Sequence, residues 1–231
     1  MLGSQQICRV QIRVDRTHLR DSNMLASVDF PITGTNEIET RLTDGRRVNL
    51  RPIRPSDQSR IRDGIIEMSD QARYLRFFST FREPPEGIVR RLGAVDGHTH
   101  IGWGALLMEE DEHHAMGAAH AIRTQEDSST AELAIAVLDE YQGLGLARML
   151  IAAVLAHCLK AGIQTMDIHI LPENKPATTL MLSLGARRTP ALDSVYHYTL
   201  DVKDALLALS HTKQPAGVAD VLASFDILEP V

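Results

Sequence analysis

A glycine-rich corner near the middle of the chain joins an aliphatic run to a long apolar segment with helical character. The stretch LDEYQGLGLARML, residues 138–150, places Gly143 and Gly145 directly before that segment. Glycine permits backbone conformations and close approaches that other residues resist. The first N–H groups of a helix have no partner within the helix, and the helix dipole favours an anion beside them. The corner therefore predicts a strand–turn–helix unit whose backbone is able to bind a charged ligand.

The segments around the corner predict an α/β fold. Strand-like runs joined by polar, hairpin-like connections precede it, over residues 100–109, 115–123 and 131–138. Helical and strand-like segments alternate after it, over residues 146–162, 165–171, 174–185 and 194–200. Antiparallel strands thus lead into one βαβ unit. We expect a mixed, mostly antiparallel sheet that is flanked by helices.

The length of 231 residues favours one domain with extensions. The domain is predicted to span residues 41–205, with an N-terminal extension at 1–40 and a C-terminal tail at 206–231. An alternating run at 8–14 is strand-like, but no nearby segment pairs obviously with it. Because the candidate ligand-binding residues lie between 132 and 174, we expect both ends of the chain to be dispensable for ligand binding.

Charge and composition exclude several classes of protein. The net charge of −6 argues against a chain that coats nucleic acid or anionic lipid. No apolar run approaches the roughly 18 residues of a membrane span, and the N-terminus lacks the apolar run of a signal peptide. Cys8 and Cys158 are far apart in sequence and are expected to be free thiols in the cytoplasm. The histidine-rich turns lack a convincing third ligand, so no metal site is expected.

Three interpretations of the corner compete. A dinucleotide-binding G-x-G-x-x-G pattern matches Gly143 and Gly145, but its third position is Arg148, and the strand before it ends a meander. A tight turn without a ligand is the second interpretation. In the third, Gln142, Gly145 and Ala147 form Q-x-x-G-x-A, which resembles the signature Q/R-x-x-G-x-G/A of the GNAT family of N-acyltransferases.

The resemblance extends well beyond the corner. DGRRVNLRPIRPSD (44–57), RYLRFF (73–78) and LPENKPATTLMLSLGA (171–186) resemble segments of the acetyltransferase domain in bacterial Pat-type protein lysine acetyltransferases. The resemblance implies a GNAT fold in which two central parallel strands splay around acyl-CoA. It also implies direct transfer of an acetyl group from acetyl-CoA to an amine in a ternary complex. The similarity to Pat-type enzymes favours a protein lysine side chain as that amine.

The resemblance also implies which residues contact acetyl-CoA. The backbone of Ile135, Ala136 and Val137 would bind the pantetheine arm. The corner would hold the pyrophosphate through Gln142, Gly143, Leu144, Gly145, Leu146 and Ala147. Asn174 would contact the cofactor further along, where a carboxamide is suitable because it both donates and accepts hydrogen bonds.

Attack on a thioester needs a neutral amine, and a lysine amine with a pKa near 10.4 requires a base. Glu132 is the first candidate because it interrupts the aliphatic run AELAIAVL and shares a strand face with Ala134 and Ala136. We expect low solvation to raise its pKa. A glutamate here also matches the base of Pat-type enzymes. His169 is the competing candidate, and His120 has less support. A glutamate that simply faces water remains the alternative.

One residue departs from the family pattern. Many members place a tyrosine seven residues after the asparagine, to protonate the leaving thiolate, whereas this chain has Met181. The general acid is therefore unassigned. A small-molecule amine acetyltransferase and a non-catalytic acyl-CoA sensor remain alternative functions. The sequence identifies neither the preferred length of the acyl chain nor whether the protein forms a homodimer.

Overall fold

The computed structural model describes residues 37–108, 114–190, 194–213 and 215–227. The strand predicted at 8–14 and the thiol of Cys8 lie outside these ranges.

The described residues form eight strands and seven α-helices. The strands are β1 (Ile38–Arg41), β2 (Arg47–Pro52), β3 (His100–Leu107), β4 (Ala115–Arg123), β5 (Thr130–Val137), β6 (Thr165–Ile170), β7 (Arg187–Thr189) and β8 (Tyr196–Asp201). The helices are α1 (Gln58–Glu67), α2 (Asp70–Phe77), α3 (Glu86–Gly93), α4 (Leu146–Lys160), α5 (Lys175–Ser183), α6 (Val202–Ser210) and α7 (Gly217–Ser224). Short 3-10 turns cover Pro55–Asp57 and Asp139–Tyr141.

The eight strands form one sheet in the order β1-β2-β3-β4-β5-β6-β8-β7. Neighbouring strands are antiparallel except β5 and β6, which are parallel and connected through α4. The predicted mixed, mostly antiparallel sheet is therefore confirmed. The sequence did not predict β1 and β7, since strands of four and three residues are too short to show a period.

The parallel strands β5 and β6 separate partway along their length. Their pairing covers only Thr130 with Thr165, Ala131 with Met166, and Glu132 with Asp167. On its other edge β5 stays paired with β4 as far as Val137. The second half of β5 therefore has one backbone edge without a partner strand inside the sheet, and such polar groups need another partner.

Helices cover both faces of the sheet. α4 is apolar on nearly every side, and it packs between the sheet and the pair α6 and α7. Side chains alternate along β3, so Trp103 faces α4, where its indole N–H donates to His157 at 3.2 Å. Gly102 and Gly104 lie on the opposite face, which α1 and α2 cover. The small residues of that face leave space beneath the helices.

The C-terminal helices belong to the same hydrophobic core. The predicted boundary after residue 205 falls inside α6, so the position of the domain end stays a prediction. The ring of Phe225, which follows α7, is 7% exposed and lies 5.4 Å from the ring of Trp103. The buried side chains of the two helices are Val202, Ala205, Leu206, Leu209, Val218, Val221 and Leu222. Removing this segment would expose the outer face of α4.

Phe225→Ala should lower the free energy of unfolding by about 3 kcal/mol, because it leaves a cavity beside Trp103. Leu207→Ala is the matched control, since Leu207 on α6 is 58% exposed and its loss should cost less than about 0.5 kcal/mol. Urea unfolding of the whole chain measures both. Equal, small effects would mean that the C-terminal segment is not part of the core.

Candidate active site

A cleft opens where β5 and β6 separate, between the sheet and helices α2 and α3. It has a volume of ≈ 260 Å³. Its polar lining includes the predicted Glu132, His169 and Asn174, together with Arg76 and Arg91. A smaller cavity of ≈ 100 Å³ adjoins it beneath α1, and Arg76, Phe77, Leu92 and His120 line both. The structure thus brings the two competing base candidates into one cleft.

The other predicted residues follow the open edge of β5 towards the corner. Ile135 lines the cleft and Ala136 lines the adjoining cavity, whereas Val137 ends the strand. Gln142 is held against the end of β5, because its side-chain amide donates to the carbonyl of Val137 at 3.1 Å. The corner therefore lies at the end of the opening between β5 and β6.

The backbone of the corner presents unpaired N–H groups. Gly143 and Gly145 have φ values of 75° and 87°, and α4 begins at the next residue, Leu146. Within the described part of the chain, the N–H groups of residues 143–147 donate to no acceptor. Successive donors at a helix start form a concavity for an anion. This donor set fits the pyrophosphate that the sequence predicts here.

The two glycines of the corner have different neighbours. A Cβ atom added to Gly145 would lie 2.4 Å from Cγ of Pro215, whereas one added to Gly143 would meet nothing within 4 Å. Gly145 is therefore required by contact with the C-terminal segment as well as by its φ angle. The carbonyl of Leu144 also accepts a hydrogen bond from the Thr43 N–H at 3.2 Å. Two distant segments thus brace the corner, and the sequence alone gave no signal for either.

Glu132 and His169 lie opposite each other at the mouth of the opening. The carboxylate Oε1 is 3.8 Å from Nδ1 of His169, which is longer than a hydrogen bond and within ion-pair distance when the ring is protonated. The two side chains are 49% and 36% exposed. The pKa of Glu132 lies below its ordinary value: the His169 side chain lowers it most, burial opposes this, and Arg76 and Arg91 lower it further. The predicted upward shift was wrong, because the His169 side chain and the two arginines together outweigh the limited desolvation.

The sequence matches the model of the acetyltransferase (GNAT) domain over residues 47–187, more than half of the chain. The chain belongs to the GNAT family. An acetyltransferase named Pat from Mycolicibacterium smegmatis is 30% identical over 149 residues, which cover 64% of this chain and 44% of that protein. An acetyltransferase from Pseudomonas aeruginosa is 28% identical over 154 residues, which cover 67% of this chain and 82% of that protein. The chain thus spans less than half the length of the first relative.

Solved structures share the GNAT fold. The GNAT domain of S. lividans PAT has a TM-score of 0.66 at 24% identity, covering 72% of this chain and 97% of that domain. Spermidine N-acetyltransferase from Vibrio cholerae has a TM-score of 0.55 at 17% identity, covering 69% and 98%. The predicted fold is confirmed, and the family makes this chain a GNAT acetyltransferase.

A buried histidine pair lies beside the GNAT cleft. Nε2 of His100 is 2.9 Å from Nδ1 of His120, and Nδ1 of His100 is 3.0 Å from the carbonyl of Ala94. Because a carbonyl only accepts, His100 must donate from Nδ1 and accept at Nε2 when both rings are neutral, so His120 donates from Nδ1. Burial lowers the pKa of both rings, that of His120 well below its usual value. Nε2 of His120 is thus left as an acceptor.

Two further residues of the GNAT pattern lie along the cleft. Asn174 caps α5, since its Oδ1 accepts a hydrogen bond from the Ala177 N–H at 3.2 Å. Its carboxamide oxygen is therefore engaged by the protein. Met181, at the position of the family tyrosine, is 2% exposed and lines the cleft. A thioether cannot protonate a leaving thiolate.

The described residues contain neither a cluster of metal ligands nor a membrane-spanning helix. No group of three or more His, Cys, Asp or Glu side chains there is arranged to hold a metal ion. No helix in the same residues has the length and apolar character needed to cross a membrane.

Proposed function

We propose that this GNAT acetyltransferase moves the acetyl group of acetyl-CoA to the side-chain amine of a protein lysine. The observation that carries the proposal is the continuity of the opening between β5 and β6 with the unpaired N–H groups of residues 143–147. The resemblance to Pat-type enzymes supports lysine as the acceptor. Because the chain spans 44% of the Pat relative, the activity of that whole protein is not carried over directly.

The chain's own groups define where acetyl-CoA would bind. The N–H groups of residues 143–147 would hold the pyrophosphate, and the open backbone edge of Ile135, Ala136 and Val137 would pair with the amides of the pantetheine arm. Asn174 would contact the cofactor further along. The solved GNAT enzyme from Vibrio cholerae is a complex with CoA and spermine, which supports the use of this fold for that cofactor. When bound, acetyl-CoA supplies the activated thioester.

Glu132 would accept the proton of the acceptor amine. Its lowered pKa keeps the carboxylate ionised at neutral pH, so it is available as an acceptor. The same shift makes it a weak base, and the proton must therefore move as the amine attacks or through water. His169, only 3.8 Å away, is the alternative base. Met181 leaves water to protonate the coenzyme A thiolate, which is a tolerable leaving group.

Two points of the proposal concern the setting of the reaction. Cys158 is a free, buried thiol, which supports a cytoplasmic location. A homodimer stays a prediction. The two alternatives to lysine acetylation are a small amine as the acceptor and a non-catalytic acyl-CoA sensor.

Gly143→Asp should weaken acetyl-CoA binding by more than about tenfold, or 1.4 kcal/mol, because it adds a negative charge at the proposed pyrophosphate site. Gly143→Asn is the matched control: Asp and Asn both tolerate positive φ and differ mainly in charge. Calorimetry at two salt concentrations should show the Asp–Asn difference shrinking as salt rises. Equal affinities of the two variants would place the pyrophosphate elsewhere. Gly145 is unsuitable for this test, because a side chain there meets Pro215.

Glu132→Gln should lower turnover by roughly 10²–10⁴ while acetyl-CoA affinity changes little, since an amide keeps the shape but cannot take the proton. The loss should shrink as pH rises, because more of the amine is already neutral. Asp167→Asn is the control, since Asp167 pairs with Glu132 across the strands without lining the cleft.

His169→Gln distinguishes the two base candidates. A full loss in His169→Gln with an active Glu132→Gln enzyme would assign the base to His169. Tight acetyl-CoA binding by the unmodified chain, with no turnover of any lysine peptide or small amine, would favour the sensor.

A further inference from the structure

The cleft carries more positive than negative charge. Arg76 on α2 and Arg91 on α3 line it, whereas Glu132 is the only carboxylate among its described lining residues. In the adjoining cavity Asp57 is already engaged, because it accepts hydrogen bonds from Arg51 at 2.8 Å and Arg60 at 3.1 Å. The imbalance of charge therefore remains inside the cleft.

The two arginines of the cleft lack an anionic partner in contact. Within the described ranges, neither guanidinium makes a hydrogen bond or an ion pair. Both are attracted electrostatically to Glu132, but from beyond ion-pair distance. The Arg76 guanidinium lies 4.8 Å from the centre of the Phe77 ring. Burial lowers the pKa of Arg76 to about 10, so the group is still charged at neutral pH. A partly buried guanidinium with five N–H donors and no acceptor is costly unless a ligand supplies one.

The helix that carries Arg76 is fixed at both ends. Its N-cap, Ser69, donates to the Asp139 carboxylate from its N–H at 3.1 Å and from its hydroxyl at 2.9 Å. Arg73 donates to the carbonyls of Met68 at 2.6 Å and Phe81 at 3.1 Å. These hydrogen bonds tie α2 to the loop before it and to the loop after it. Such bracing fixes the helix from which Arg76 reaches the cleft, so that less backbone freedom is lost when an anion binds.

Two cations opposed by one carboxylate repel a protonated amine. An acceptor with several positive charges, such as a polyamine or a lysine flanked by arginines, is therefore disfavoured in this cleft. A carboxylate near the reacting amine would offset the repulsion and accept hydrogen bonds from a guanidinium fork, which is shaped to bind carboxylates.

We propose that the acceptor carries a carboxylate close to its reacting amine and that Arg76 and Arg91 bind this carboxylate. The inference rests on the proposed acetyl transfer to an amine. The carboxylate has two chemical sources: an acidic side chain next to a lysine in a protein, or the acceptor's own carboxylate in a small amine.

The test compares acceptors that differ only in charge. Peptides with one lysine flanked by Glu, Gln or Arg form one arm, and Nα-blocked lysine with a free or an amidated carboxyl group forms the other. The unmodified chain should show a kcat/KM roughly tenfold or more higher for the Glu-flanked peptide than for the Gln-flanked one, and the lowest value for the Arg-flanked one. A preference for the free over the amidated carboxyl of blocked lysine, without any preference among the peptides, would assign the carboxylate to a small acceptor.

Arg76→Gln and Arg91→Gln should each reduce that preference, mainly through KM, and leave the KM for acetyl-CoA unchanged. Arg90→Gln is the matched control, because Arg90 is exposed on α3 and does not line the cleft. An equal fall of kcat for every acceptor in Arg76→Gln, weaker acetyl-CoA binding in that variant, or no charge preference in the unmodified chain would each overturn the inference.

A binding measurement keeps this inference separate from the proposed reaction. Peptides in which norleucine replaces lysine cannot react, and calorimetry in the presence of CoA measures their affinity directly. Tighter binding of the Glu-flanked norleucine peptide, lost in Arg76→Gln and kept in Arg90→Gln, would support carboxylate binding even if no acetyl transfer occurs. Equal affinities for the Glu- and Gln-flanked norleucine peptides would overturn it.

Discussion

The separation of β5 from β6 is the constraint on which the rest of the site depends. Strands that pair only as far as Glu132 and Asp167 leave the second half of β5 with an open backbone edge in the middle of the sheet. Backbone polar groups need a hydrogen-bond partner, and we propose that the pantetheine arm of acetyl-CoA supplies it along this edge. The same divergence directs the end of β5 into the corner, so that the open edge continues into the free N–H groups at the start of α4. One break in strand pairing thus produces both halves of the proposed acetyl-CoA site.

The remaining elements hold this opening in place. α4 is fixed on its outer face by α6 and α7, and Phe225 joins that layer to Trp103 in the sheet. Pro215 contacts Gly145, and Thr43 donates to the carbonyl of Leu144, so the corner is braced from the C-terminal and the N-terminal sides. On the opposite face, the hydrogen bonds of Ser69 and Arg73 fix α2 above the cleft. The charges that an acceptor would meet are therefore carried by braced elements.

The sequence predicted the parts of the site that depend on local patterns. The corner, the strand before it and the helix after it are contiguous, and Glu132 was found because it interrupts an aliphatic strand. What it missed depends on contacts between residues far apart in the chain: Pro215 against Gly145, the His100–His120 pair, and β1 on β2. The error on the pKa of Glu132 has the same origin. Its shift is set by His169, Arg76 and Arg91, which lie on three other elements, so no pattern along one strand could show it.

The central claim is that acetyl-CoA occupies the open edge of β5 and the corner that follows it. Amide hydrogen exchange of the whole chain, measured with and without acetyl-CoA, tests this most directly, because exchange slows where N–H groups gain acceptors or are shielded from water. Exchange should slow at residues 143–147 and at those residues of 133–137 whose N–H groups point away from β4, and it should change little along β3 and β4, whose N–H groups are already paired within the sheet. Saturating acetyl-CoA that leaves exchange at 143–147 unchanged while slowing it elsewhere would contradict the account.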